Sequence, residues 1–150
     1  MEVKFAHVNL ISSSWRSLAD FYIKVFGCVE RKPQRDLKGE WVDSLTNLKD
    51  AHIKGVHLLL PGFDDNGPTL EIFEYDENIK GGEKEINKEG FGHIAFAVDD
   101  VKKCVDLILT NGGSLVGEII ESYIEGVGNI AVAYCRDVEN NIIEIQKWSN

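Results

Sequence analysis

The chain has 150 residues, 43% hydrophobic and 27% charged, with 16 basic against 25 acidic side chains and a formal net charge of −9. That length supports a buried core without staples, and the acidic balance excludes a general nucleic-acid binder, which needs a basic surface. No apolar run reaches membrane-spanning length, so no membrane partner is expected.

The first element is a strand over residues 3–11, opening directly from Met1-Glu2-Val3-Lys4-Phe5 without a signal-peptide pattern, from which a cytoplasmic location is expected. Ser12-Ser13-Ser14 supplies capping hydroxyls for a helix in which Trp15, Leu18, Phe21, Tyr22, Val25 and Phe26 recur at helical spacing, and Gly27 ends it. A strand around 28–36 contains Arg31-Lys32-Pro33-Gln34-Arg35-Asp36-Leu37-Lys38, the one basic stretch in an acidic chain. It reads either as a solvated loop or edge strand or as a phosphate or carboxylate clamp at the mouth of a site. After a variable stretch with Trp41 and Leu45 come strands over 52–60, stopped by Pro61-Gly62, and 68–75.

The second half repeats this order. A strand over 91–98 leads through Asp99-Asp100 into a helix carrying Val101, Val105, Leu107 and Ile108, stopped by Asn111-Gly112-Gly113. Strands near 114–122, 129–135 and 142–148 follow, the last two joined by the turn-forming run 137–141. The chain is therefore one domain over residues 1–150 built from two βαβββ modules, about 3–76 and 91–148. Cys28, Cys104 and Cys135, odd in number and without a Cys-x-x-Cys spacing, fit reduced thiols with no catalytic role.

The duplication carries chemistry. Phe5-Ala6-His7-Val8 is matched by Phe91-Gly92-His93-Ile94, and Leu70-Glu71-Ile72 by Ile143-Glu144-Ile145. His and Glu are separated by 64 residues in the first module and 51 in the second, which places about 13 extra residues near 38–55. A period of two puts His7, Asn9 and Ile11 on one face of their strand, Glu71, Phe73 and Tyr75 on one face of theirs, and Glu144, Gln146 and Trp148 likewise, so that converging faces would line one cup. Two His and two carboxylates at matching strand positions suit a divalent transition metal. His52 and His57 have no histidine counterpart in the second module and read as incidental.

This tandem arrangement, over about residues 3–148, resembles the vicinal oxygen chelate superfamily, which includes glyoxalase I, methylmalonyl-CoA epimerase, extradiol dioxygenases and the fosfomycin and bleomycin resistance proteins. The resemblance implies an α+β fold whose modules form a curved, mostly antiparallel sheet cup. It implies His7, Glu71, His93 and Glu144 as ligands of one divalent ion (Ni, Co, Zn, Mn or Fe), within one chain or across a homodimer. It further implies a lyase or isomerase that moves a proton next to a carbonyl through a metal-bound enolate, with Glu144 and Glu71 as catalytic carboxylates, on a small-molecule substrate such as a thioester or thiol adduct. The quartet matches glyoxalase I, whereas Ile11 and Tyr75 stand where the glutathione-dependent members carry Arg and Asn, so a glutathione adduct is disfavoured. The segment Leu70–Tyr75 looks more like the epimerase branch. Alternatives are a non-haem Fe(II) extradiol dioxygenase and a metal-free binding or resistance protein.

Overall fold

In the computed structural model, which describes residues 1–149, helix α1 (Trp15–Phe26) forms where apolar residues recur every third or fourth position. Its N-terminus is held by two oxygens from outside the helix: Ser12 Oγ accepts from the Ser14 N–H at 3.0 Å and Glu74 Oε2 from the Trp15 N–H at 3.1 Å. Gly27, at φ 70°, closes the helix in a left-handed turn that costs a residue without Cβ little.

The chain divides into two compact units, Met1–Lys80 and Gly81 onward. The first holds β1 (His7–Ile11), β2 (Val29–Lys38), β3 (His52–Leu59) and β4 (Thr69–Tyr75) in the order β1-β4-β3-β2, with β1 parallel to β4 and the other pairs antiparallel. One face of the sheet is apolar: Val56, Leu58, Leu70 and Ile72 meet Leu18, Phe21, Tyr22 and Val25 of α1, all buried. β1 is shorter than the run 3–11 because its partner begins at Thr69, after Pro68, which has no N–H to extend the ladder.

The extra length of the first half folds into a second helix, α2 (Glu40–Thr46), which the sequence pattern did not reveal. It runs between Gly39 at φ 102° and Asn47 in the left-handed conformation, and Val42 anchors it among Ala51, Ile53 and Phe73 on the face of the sheet opposite α1.

The second unit holds β5 (Ile94–Ala97), α3 (Val101–Thr110), β6 (Ser114–Leu115), β7 (Ile120–Ile124), β8 (Gly128–Arg136) and β9 (Ile142–Ser149). The order is β5-β9-β8-β6, with β7 also on β8, and again only the first and last strands pair in parallel. Asp100 caps α3, its carboxylate accepting from the Lys103 N–H at 2.9 Å. The run 114–122 is interrupted: Val116 still pairs with Tyr134 O, but the strand breaks around Gly117 and resumes at Ile120. The turn 137–141 is built on the buried Asp137, whose carboxylate accepts from the Glu139 and Asn141 N–H groups and from Asn141 Nδ2. No helix among the described residues is long and apolar enough to cross a membrane.

Candidate functional site

Because paired residues on neighbouring strands point to the same face, registers alone say what surrounds each glutamate. In the first unit Glu71 stands opposite Asn9 on β1 and His57 on β3. Asn9 Nδ2 donates to Glu71 Oε2 at 2.9 Å, and His57 Nε2 lies 2.9 Å from Oε1. His7, two residues earlier on β1, brings Nε2 to 3.5 Å from Oε2. A carboxylate only accepts, so the His57 proton sits on Nε2, and the buried Thr69 hydroxyl then donates to Nδ1 across 3.0 Å. Burial lowers the His57 pKa, Glu71 opposes that, and the charges of Arg35, His7 and Arg31 lower it further. The ring is therefore a neutral strut that fixes Glu71.

In the second unit Glu144 stands opposite Ala95 on β5 and Tyr134 on β8. His93 precedes β5 and sets Nε2 3.0 Å from Glu144 Oε2, with its ring centroid 5.3 Å from that of Tyr134. Burial raises the Tyr134 pKa, and the charge of Glu144 and a hydrogen bond to it add to the rise, so the phenol keeps its proton and donates it to the carboxylate.

The sequence-predicted quartet is thus brought together as two pairs, His7 with Glu71 and His93 with Glu144. His57 is not incidental: its Nε2 lies as near a Glu71 oxygen, 2.9 Å, as the Asn9 amide does. Its counterpart is not a histidine but Tyr134, which the register places opposite Glu144 as it places His57 opposite Glu71. Counting back through each hairpin from the glutamate would have found both; searching for a second histidine could not. His52 does stay away from the site, on the other face of β3, where it bridges Asp36 and Asp76 at 2.6 and 2.9 Å.

Two donors that each hold an ion at about 2.0–2.2 Å are separated by about 3.0–3.5 Å at bond angles near 90–110°. Both pairs fit this spacing, and imidazole with carboxylate suits the divalent metals of the sequence reading. Neither unit is a full ligand set, since no group of three or more His, Cys, Asp or Glu among the described residues is arranged to hold an ion by itself.

The first unit also contains a cavity of about 320 Å³, between α2 and the sheet face that carries Glu71. Trp41, Leu45 and Thr46 of α2 form one wall; Asn9, His57 and Glu71 line one end. Of the basic stretch, which forms the edge strand β2, Arg35 reaches this cavity. The three cysteines are buried, and burial pushes each thiol up to about 11, in keeping with no catalytic part.

Comparison with known proteins agrees with this architecture. A glyoxalase family protein from Bacillus cereus superposes with a TM-score of 0.78 at 18% identity, over 100% of this chain and 95% of that one. A glyoxalase/bleomycin resistance protein/dioxygenase family enzyme from Burkholderia phytofirmans gives 0.61 at 19% identity, over 96% and 98%. The fosfomycin resistance protein FosX from Listeria monocytogenes, in complex with Mn(II) and sulfate, gives 0.59 at 16% identity, over 99% and 95%. No curated protein matches the sequence. The model of the Glyoxalase/Bleomycin resistance protein/Dioxygenase superfamily matches residues 4–145. With its duplicated modules and its His–Glu pair set twice at one register, the chain belongs to that superfamily, the vicinal oxygen chelate group.

Proposed function

We propose that the protein is a metal-dependent lyase or isomerase of the glyoxalase I or methylmalonyl-CoA epimerase type, which moves a proton next to the carbonyl of a small-molecule substrate. The observation that carries this reading is the His–Glu pair repeated at equivalent positions with chelating separations of 3.5 and 3.0 Å. The ligands of the divalent ion are His7 and Glu71 with His93 and Glu144; when bound, the ion supplies Lewis-acid polarisation of the substrate oxygens. Mn(II) in the Listeria protein supports trying manganese first among Ni, Co, Zn, Mn and Fe.

The chain's residues divide the remaining work. Glu71, held by Asn9 and His57, is fixed in place. Glu144, which faces Ala95 instead of an amide, has fewer restraints and takes the substrate proton. The Tyr134 phenol donates to Glu144 while it is ionised and must release it as the proton arrives. A homodimer belongs to the same reading: Ile120, Tyr123 and Ile124 are exposed on β7, and a second copy covering them would give a dimer mass in light scattering, whereas a monomer at working concentration would remove this part.

The deciding experiment incubates metal-loaded protein with methylmalonyl-CoA and hemithioacetal substrates in deuterated water and follows deuterium uptake by mass spectrometry. Uptake next to the carbonyl is expected. No uptake with any thioester or hemithioacetal, together with oxygen consumption on a catechol, would replace this reading with the dioxygenase. Elemental analysis is expected to show metal in the wild type and a loss of affinity well beyond tenfold in His7→Ala and His93→Ala; full occupancy in both variants would contradict the ligand assignment.

A further inference from the structure

The sheet face beneath α2 is layered by chemistry. Antiparallel and parallel registers define three rows across the strands: Arg31, His57, Glu71 and Asn9; then Arg35, Gly55, Phe73 and Ile11; then Leu37, Ile53 and Tyr75. Rows on one face are two residues apart, about 7 Å. The polar row holds the proposed metal-ligating glutamate, the third row is apolar, and the middle row carries one cation at the sheet edge. Four residues apart, both arginines share this face on a period of two, and the register shift between them, in which four residues of β2 span two of β3, sets Arg35 opposite Gly55 instead of Ile53.

In the middle row Gly55 makes room for the Phe73 ring, which lines the cavity. A Cβ there would lie 2.0 Å from Ile72 O and 2.6 Å from Phe73 Cδ1, so any side chain would have to displace the strand beside it. The far wall comes from α2. Trp41 and Leu45 remain 56% and 76% exposed, although both line the cavity, while Val42 between them is fully buried and already anchors the helix. Their apolar surface is therefore surplus to holding α2 down.

Arg35 donates to Pro33 O, and among the described residues no carboxylate forms an ion pair with it. In a chain of net charge −9, Arg35 is, among the described residues, the one lysine or arginine that lines this cavity. Its planar fork matches an oxyanion. A volume near 320 Å³ lies at the low end of small-molecule sites, about 300–1,000 Å³, so the occupant is compact, and only the acyl portion of a larger conjugate would fit.

We propose that this cavity binds a compact organic oxyanion with a short aliphatic or aromatic body: the reacting carbonyl at the Glu71 row, the anionic group on Arg35 one row away, and the apolar body beneath Trp41 and Leu45. This names the substrate class and rests on the functional reading above for the identity of the reacting end. Neither the anionic group nor the body needs the second unit, so binding is measurable separately from turnover.

The test is isothermal titration calorimetry on the full chain, chelator-treated and metal-loaded, with 4-methyl-2-oxopentanoate, its methyl ester and pyruvate; 3-methylbutylphosphonate distinguishes a carboxylate from a phosphonate preference. The keto acid is expected to bind at least tenfold tighter than the ester, which lacks the charge, and than pyruvate, which lacks the body. Arg35→Gln is expected to abolish the advantage over the ester, and Leu45→Asp the advantage over pyruvate, with unchanged far-UV circular dichroism. Binding is expected to change tryptophan emission in the wild type and to leave it unchanged in Trp41→Phe. Equal affinity for acid and ester, or a preference that survives Arg35→Gln, overturns the anion subsite. Equal affinity for pyruvate, an emission change that persists in Trp41→Phe, or no binding of any probe overturns the cavity as the site. Tight, Arg35-dependent binding without deuterium exchange sinks the functional reading and leaves the binding site standing.

Discussion

The two units use one plan to surround a glutamate and differ at three positions around it. On the β1 side Glu71 meets Asn9 where Glu144 meets Ala95, and across the hairpin Glu71 meets His57 where Glu144 meets Tyr134. The third difference is cover: α2 lies over the Glu71 face, whereas in the second unit β7 and β8 are joined by the tight turn 125–127. A duplicated scaffold fixes where a carboxylate and an imidazole stand, and its neighbours then decide how tightly each is held. Glu71 has an amide, a neutral imidazole and His7 within reach; Glu144 has His93 and a phenol that only donates. Restraint belongs to the first unit and freedom to the second, which is the basis for giving Glu144 the proton.

The largest expected effect tests that division. Glu144→Gln retains an oxygen donor but no proton acceptor, so turnover should fall by roughly a hundredfold or more while metal content stays near that of the wild type. Glu71→Gln should instead lower metal content first, because its amide would meet the Asn9 and His57 donors with a single acceptor oxygen. Turnover and elemental analysis on both variants decide it. If Glu71→Gln keeps its metal and loses turnover while Glu144→Gln does the reverse, the roles are exchanged.

A medium effect sharpens the same contrast in stability. Asn9→Ala makes the first unit resemble the second and removes a hydrogen bond to a carboxylate that is only 9% exposed. The loss should be about 1.5–3 kcal/mol. Ala95→Asn, at an exposed position, should change stability by no more than about 0.5 kcal/mol. Urea unfolding of the two variants measures both. Equal effects would mean that the Asn9 contact contributes nothing to holding Glu71.

What the sequence made legible follows from periodicity and duplication. The apolar stripes of α1 and α3, the glutamate strands and the two His–Glu pairs were visible because each repeats at a fixed spacing. The rest depends on pairing. That His57 faces Glu71 and Tyr134 faces Glu144 is a property of hairpin register, and neither residue type repeats between the modules. α2 escaped notice because seven residues with one buried position carry too few turns for a helical stripe. The position of Arg35 beside Gly55 rests on a bulge that no period in the sequence announces.

The smallest expected effect lies on the other face of the first sheet, in a clip without a counterpart among the described residues of the second unit. His52, at the start of β3, sets one ring nitrogen 2.6 Å from Asp36 on β2 and the other 2.9 Å from Asp76 just beyond β4, so one imidazole ties three strand ends together. The hydrogen bond from His52 is the main reason that both carboxyls titrate below the ordinary aspartate value, with the charges of His52 and Lys54 adding to it. Their folded pKa values are lower than their unfolded ones, so the clip contributes stability that is complete above about pH 4. That contribution is lost as pH falls through the folded values. Both carboxyls are exposed, so solvent and salt screen the interaction and keep it small. In His52→Ala the side-chain carbon resonances of Asp36 and Asp76 should titrate at higher pH than in the wild type. The difference in urea midpoint between wild type and variant should shrink as pH drops below 4 and as salt is added. A difference that stays constant from pH 6 to pH 2 would show that His52 acts through packing at the strand ends and not through the two carboxylates.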